Sequence, residues 1–387
     1  MEFENTTLGQ LSIGGKGSYG IAASAVPYSE NLLTYLRITD ISDQGTLKKQ
    51  SFMSVADKNA DNYLLKPNDI VFARTGNSTG RNYFYDGTDG NFVYAGFLIK
   101  FSLDPKKVNP RYIKYYCQST QYWNWVQSFN TGSTRGNINA QTFANMEIPL
   151  PPREQQDFLV RLLKPLDNKI ELNQKINENL ERQAQTIYEE MFLKSPDVAT
   201  ISGTLRDIAT ITMGQSPSSS SYNENGVGEV FFQGRAEFGF RFPTRRLFTT
   251  EPKRMADAGD VLLSVRAPVG DLNVAYERCC IGRGLAAIRS KNNHQSFVLY
   301  TMFSLEKQLD VFNGEGTVFG SINRNSLNDM PILIPSENTI EEFERIVAPM
   351  DAIIHNNYDE ICRLQEIRDH LLPCLMSGEL DVSDLDL

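Results

Sequence analysis

The sequence predicts an α/β (α+β) chain laid out twice: a globular domain, a long helix, a second globular domain and a second long helix. Three observations carry this. The chain has 387 residues, which at about 150 residues per domain allows two or three domains. Hydrophobic residues make up 41% and charged residues 22%, the usage of an ordinary globular protein. Finally, the chain resembles itself. Residues 159, 166, 173, 180 and 187 read Leu, Leu, Asn, Leu and Ile, and residues 343, 350, 357, 364 and 371 read Phe, Met, Asn, Leu and Leu, every position displaced by 184. A fixed internal period is the mark of duplicated architecture.

In chain order, residues 1–152 form the first domain. Short β-type runs at 69–73 and 92–101 stand beside helical stretches such as 110–129, with Gly, Asn and Ser punctuating the runs. Residues 153–195 form the first spacer helix. Pro165 is expected to divide it into a short piece at 154–163 and a longer one at 165–192, because proline lacks a backbone N–H and suits a first helical turn. Residues 196–338 form the second domain, with a strand at 261–265 and helical stretches at 294–311. Residues 339–378 form the second spacer helix, expected to begin near Ile340, restart at Pro349 and fade at Ser377-Gly378, and 379–387 form an acidic tail.

The apolar spacing in both long segments is that of a/d heptads. Leu166, Ile170, Asn173, Leu180 and Ile187 form one seam, and Met350, Ile354, Asn357, Leu364 and Leu371 the other. Two such seams in one chain can pair, and a polar Asn on a seam helps to fix register. In an antiparallel pair Asn173 and Asn357 are expected to meet near the middle; the alternative is that each helix packs on its own domain. The repeat also reaches into the domains. Gly136-Asn137-Ile138-Asn139 answers Gly320-Ser321-Ile322-Asn323, Asp69 to Arg74 answers Asp260 to Arg266, and Thr7-Leu8 answers Thr204-Leu205.

The net charge is −9, which taken whole disfavours a protein that coats nucleic acid by charge alone. The distribution tells more. Residues 1–152 carry +2, 153–200 carry −2, 201–340 are balanced, and 341–387 carry −9. Nucleic acid therefore stays open as a partner of the domains. Five cysteines with no C-x-x-C argue against a disulfide framework or zinc ribbon. Met1 to Asn5 lacks the basic and apolar regions of a leader, and no apolar run approaches a membrane span, so a cytoplasmic protein is expected.

Catalytic readings fail. His294, His355 and His370 make no metal spacing and no nucleophile set, and there is no P-loop. Gly282-Arg283-Gly284-Leu285-Ala286-Ala287 fits G-x-G-x-x-A without a βαβ context and reads better as a buried strand with close backbone contacts. Glu251-Pro252-Lys253 lacks the acidic partner of a nuclease site. The aromatic run Tyr112, Tyr115, Tyr116, Tyr122, Trp123 and Trp125 reads as core rather than as a stacking platform.

What remains is a set of polar, Gly-rich, Arg-bearing loops in both halves. The first half offers Arg74, Asn77, Ser78, Thr79 and Arg81, then Ser133, Thr134, Arg135 and Asn137. The second offers Gln233, Arg235, Arg241, Arg245, Arg246, Arg266 and Thr317. Arginine reads guanine with a bidentate contact, Asn and Gln read adenine, and hydroxyls and backbone N–H groups bind phosphate. Single surface loops look like this without binding anything; two sets on duplicated domains with a rigid spacer point to double-stranded DNA. About 27 residues from 165 to 192 would make a rod of roughly 40 Å, near the one-turn separation of about 34–36 Å between half-sites.

The sequence resembles the specificity subunit of type I restriction–modification systems over essentially its whole length. The resemblance rests on Met146-Glu147-Ile148-Pro149-Leu150-Pro151-Pro152-Arg153-Glu154-Gln155-Gln156, on Leu166-Asp167-Asn168-Lys169-Ile170-Glu171-Leu172-Asn173, on Leu180-Glu181, and on Leu371-Leu372-Pro373 with Leu375-Met376-Ser377-Gly378-Glu379-Leu380. Ile334-Pro335-Ser336-Glu337-Asn338 departs from the pattern at the second helix entry. The resemblance implies two target-recognition domains, each reading half of a bipartite DNA site. It implies a spacer pair that docks two modification (methyltransferase) subunits, and restriction subunits (translocase/nuclease) that complete a bacterial defence against phage. No membrane partner is expected. The chain itself would be non-catalytic and bind no cofactor, with S-adenosylmethionine, ATP and Mg on the partner subunits. The other readings are an assembly scaffold that binds no DNA, and the specificity chain of a related system whose partner fuses methylation and cleavage.

Overall fold

The computed structural model describes residues 3–48, 51–129, 136–194, 200–314 and 320–379. Its contacts divide the chain into two compact units, Met1–Glu171 with Ile361–Leu387, and Leu172–Glu360. The division falls inside both long helices, so each unit contains a globular part and a stretch of each helix.

In the first unit, the run at 69–73 is a strand, Asp69–Ala73, central to a four-stranded sheet. It lies between Leu98–Ser102 and Asn82–Tyr85 and is antiparallel to both; Ser18–Tyr19 completes the sheet beyond Leu98–Ser102. Alternate residues of a strand face opposite ways. Ile70 and Phe72 accordingly join the core that holds Tyr112, Tyr122, Phe143 and Leu163, while Val71 and Ala73 join a second cluster with Leu36, Tyr83 and Phe92. Burial on both faces explains why the strand is continuously apolar from Ile70 to Ala73. A second sheet orders Ala25–Val26, Met53–Val55, Leu33–Leu36 and Phe92–Tyr94, the last pair parallel. The aromatic run is core: Tyr112, Tyr115, Tyr116 and Tyr122 are buried, with Trp123 and Trp125 packed against them.

The second unit repeats this plan. Val261–Ser264 is antiparallel to Leu285–Ser290 and Leu272–Val274, with Ala209–Met213 on the far side of Leu285–Ser290. Val261 and Leu263 face one core and Leu262 another. The parallel pair recurs as Glu229–Phe232 with Cys279–Ile281, and Met255–Ala256 adds a short antiparallel strand where the first unit has a single bridge, Leu64 to Val93. Each unit also closes its ends with a small antiparallel pair. Glu4–Thr7 lies on Glu147–Leu150, and Thr200–Thr204 on Pro331–Pro335. The next N–H bonds repeat as well, Leu8 to the Met146 carbonyl and Leu205 to the Met330 carbonyl, both at 3.0 Å.

The run at 92–101 is two strands, not one. The chain turns at Ala95-Gly96-Phe97, where the Leu98 N–H bonds the Ala95 carbonyl, and passes from the second sheet to the first. Gly282-Arg283-Gly284 makes the same passage, with the Leu285 N–H on the Gly282 carbonyl. The G-x-G is therefore a sheet-switching turn. Its crossing strand has Gly20 in one unit and Gly214 in the other, because a Cβ there would lie 2.2 Å from the Ala95 carbonyl oxygen and 2.1 Å from that of Gly282.

Pro165 and Pro349 do not interrupt the helices. The first long helix runs unbroken over Arg153–Tyr188 and continues into a π-turn, Glu189–Leu193. The second runs over Glu337–Ser377. Both prolines are exposed, so the hydrogen bond each one forfeits is lost on a solvated face, where water can take its place. The first helix begins where buried Gln156 donates to the Pro151 carbonyl and accepts from the Asn109 N–H, both at 2.8 Å. At the second entry Ile340 stands in place of Gln156; its N–H bonds the Ser336 carbonyl as the Gln156 N–H bonds that of Pro152, and the Ser336 hydroxyl accepts from the Thr339 N–H.

The helices run antiparallel within each unit. In the first, Leu159 and Leu163 share a cluster with Leu372, Leu375 and Met376. In the second, Ala184 and Tyr188 share one with Ile340, Phe343 and Val347. The two seam asparagines do not meet. Asn357 donates to the Asn177 Oδ1 (2.8 Å), and Asn173 donates to Glu360 (2.8 Å). The register places 357 opposite 177, half a heptad from 173, so matched heptad positions on the two helices do not face each other.

Candidate nucleic-acid interface

In the first unit the candidate loops are built onto one another. Arg74 to Arg81 forms the connection between Asp69–Ala73 and Asn82–Tyr85, and Thr75 forms a bridge with Asn137. The Ile138 N–H donates to the Arg74 carbonyl (2.9 Å), and the Thr79 hydroxyl donates to the carbonyls of Gly76 (2.8 Å) and Gly136 (2.9 Å). Asn139 then caps the following helix by accepting from the Thr142 N–H. Asn77 and Asn137 are exposed, whereas Ser78 is buried. Arg81 is committed to Asp43 at 2.6 Å. Ser133, Thr134 and Arg135 lie outside the described residues.

The second unit makes the same joint with different side chains. Arg266 bridges Ser321, the Ile322 N–H donates to the Val265 carbonyl (3.1 Å), and Asn323 caps the next helix through the Ser326 N–H. Gln233 and Arg235 come to the same place: the Gly284 N–H bonds the Gln233 carbonyl, and Arg235 pairs with Asp271 on the loop that follows Arg266. Arg266 and Gln233 are exposed. Thr317 lies outside the described residues.

Arg241, Arg245 and Arg246 do not join this group. Arg241 is 4% exposed and bound to Glu181 (2.8 Å) and Asp351 (3.0 Å) on the two long helices, with its Nη2 donating to Tyr300 (3.2 Å). Burial would lower the Arg241 pKa, but Tyr300, Asp351 and Glu181 outweigh it and hold the guanidinium charged; burial raises the Glu181 carboxyl. A buried arginine neutralised twice is a docking group, so its assignment as a DNA contact is withdrawn. Arg245 pairs with Glu277 and lies over the Tyr276 ring, and Arg246 pairs with Glu237 and Glu224.

Two elements of the candidate interface escaped sequence reasoning. The sheet-switching turn touches the joint in each unit, through the Arg74 N–H on the Phe97 carbonyl (3.1 Å) and the Val265 N–H on the Gly284 carbonyl (2.9 Å). Phe97 is 58% exposed, and Arg283 is exposed at the corresponding turn. Tyr19 also reaches the joint, its hydroxyl accepting from the Ala140 N–H. The pairing of Ser18–Tyr19 with Ile99–Lys100 spans some eighty residues of sequence and leaves no local signal.

The seam residues divide by place. Leu166 and Leu371 pack on the first unit's core, and Ile187 and Met350 on the second's. Ile170 and Ile354 are buried, as is Asn173; Leu180, Asn357 and Leu364 are half-buried. Leu172, Ile176, Ile346, Ile353 and Ile367 remain exposed along the helices. Among the described residues there is no group of His, Cys, Asp and Glu that could hold a metal ion, and no helix long and apolar enough to cross a membrane.

Comparison with known proteins matches residues 29–182 and 202–363 to the type I restriction modification DNA specificity domain. The putative MjaX type I restriction enzyme specificity subunit of Methanocaldococcus jannaschii is 28% identical over 340 residues, 83% of this chain and 80% of the relative. The HindI specificity subunit of Haemophilus influenzae is 21% identical, covering 82% of this chain and 87% of its own. The crystal structure of the type I restriction–modification S subunit from M. genitalium has a TM-score of 0.58 at 17% identity, over 97% of this chain and 96% of that one, and shares its fold. With the family's domain matched twice and spanning most of the sequence, the chain belongs to the type I restriction modification DNA specificity family.

Proposed function

We propose that the chain reads a bipartite DNA site, one half-site per recognition domain, with domains at 1–152 and 196–338 and spacer helices at 153–195 and 339–378. The observation that carries this is the repeated loop joint. Thr75 on Asn137 and Arg266 on Ser321 set polar, Gly-rich loops at equivalent places on two copies of one domain. Such loops offer bidentate readers and hydroxyls from a fixed frame.

In this reading the chain recognises and others catalyse. Methylation and cleavage, with their S-adenosylmethionine, ATP and Mg, fall to two modification subunits and to restriction subunits in the cytoplasm. The exposed apolar residues Leu172, Ile176, Ile346, Ile353 and Ile367 along the helices suit docking of the modification subunits. The test is to assemble the chain with its modification subunits and methylate a random DNA library. Methylation at a split motif with an unread gap is expected; methylation without sequence preference would contradict the proposal.

A further inference from the structure

The globular part of the first unit has four arginines among its described residues, and three are neutralised. Arg37 pairs with Asp40 (2.7 Å), Arg81 with Asp43 (2.6 Å) and Arg111 with Asp86 (2.8 Å). Arg74 has no side-chain hydrogen bond and no acidic partner among the described residues, and its Nε is buried without an acceptor. What holds it is a ring: its guanidinium carbon lies 5.1 Å from the Tyr19 centroid. Tyr19 is 42% exposed, and its ring is fixed at the far end by the Ala140 N–H on its hydroxyl (3.2 Å). The Arg74 backbone is pinned on both sides, by the Phe97 carbonyl and by the Ile138 N–H.

An arginine spent on a carboxylate has its donors occupied. One laid on an aromatic face keeps its terminal amino groups unspent while losing rotamer freedom. That is the state in which a guanidinium reads the two acceptors of a guanine edge at small entropic cost. The second unit does not copy the device. The residue equivalent to Arg74 is Val265, and its exposed arginine, Arg266, stands one position later at the bridge with Ser321.

We infer that Arg74, laid on Tyr19, is the guanidinium with which the first recognition domain reads a guanine in its half-site, and that Tyr19 is its positioning residue. The inference rests on the proposed DNA recognition and adds to it one base and two residues.

The experiment uses the full chain assembled with its modification subunits and measures methylation across a library randomised in both half-sites. Arg74→Ala and Arg74→Lys should each lose about tenfold to hundredfold discrimination at one G·C position of one half-site. Lysine should fail because it keeps the charge but not the fork. Tyr19→Phe, which keeps the ring but not the bond from the Ala140 N–H, should lose less preference than Tyr19→Ala, which should lose it at that same position. Intact preference at the other half-site shows that the variants are folded. Unchanged preference at every position in the Arg74 variants would overturn the inference and leave the bipartite reading standing. Equal weakening at all positions would also overturn it, marking Arg74 as a phosphate contact. A wild-type assembly without sequence preference would instead defeat the underlying reading.

Discussion

In the first unit Tyr115 donates to Asp167 (3.0 Å), and in the second Tyr300 donates to Asp351 (3.0 Å). Asp167 and Asp351 are equivalent residues of the two long helices, 184 positions apart, so the hydrogen bond that docks each globular part onto its helix is duplicated. The cation beside it is not. Asp167 takes Lys114 (2.7 Å) and, on the other long helix, Arg368 (3.5 Å). Asp351 takes Arg241, which arrives from a loop of the globular part and also engages Glu181. A duplicated frame thus tolerates a change in where its positive charge comes from, provided the half-buried carboxylate is neutralised. It also separates arginines that build the domain from arginines free to meet a ligand.

This contrast can be broken by removing the cations. Arg241→Met leaves Glu181 and Asp351 poorly compensated and should cost about 3 kcal/mol or more. Lys114→Met should cost about 1 kcal/mol or less, because Asp167 keeps Arg368 and Tyr115 and the site is partly wet. Denaturant unfolding with hydrogen exchange resolved by unit would separate the two. If Arg241→Met left stability intact and altered base preference, its assignment as a docking group would be wrong.

A second pair compares the turns that carry the candidate loops. Gly80 and Gly270 both have positive φ, at 87° and 111°. A Cβ on Gly80 would lie 2.5 Å from a Val126 methyl, whereas on Gly270 its nearest neighbour is the Leu309 Cβ at 3.5 Å. Gly80→Ala should therefore cost about 2–3 kcal/mol from strain and overpacking, and Gly270→Ala about 1 kcal/mol from strain alone. Equal melting shifts would show that the Val126 contact relaxes freely.

The smallest effect concerns the first helical turns after the end strands. Thr204 is capped by Asp207, and its counterpart Thr7 by neutral Gln10. The Thr204 backbone N–H, then its hydroxyl, holds the Asp207 carboxyl below its ordinary value. A lowered folded pKa gives stability that is present above the unfolded value of 3.8 and lost as pH falls through the folded one. Below about pH 4, amide protection should fade at Thr204–Ile208 while the turn at Thr7 holds. Simultaneous loss at both turns would contradict the charge-based cap.

Much of this was legible. The 69–73 strand announced itself because both its faces are buried, and the repeat was readable because the same joints recur at fixed displacements. The sheet switch at Ala95-Gly96-Phe97 was not, since one glycine inside an apolar run does not reveal that the chain changes sheets. Pro165 and Pro349 misled because a local rule about proline ignores which face of the helix it occupies. Arg241 misled for a longer-range reason: its partners Glu181 and Asp351 lie 60 and 110 residues away. Nothing near Arg241 in sequence distinguishes it from Arg266.

The central claim is that each recognition domain reads its own half-site. The most direct measurement exchanges residues 1–152 for the equivalent domain of a relative with a different target and maps the methylated motif. The account predicts that one half-site changes and the other is retained. A change in both half-sites, or in neither, would contradict it.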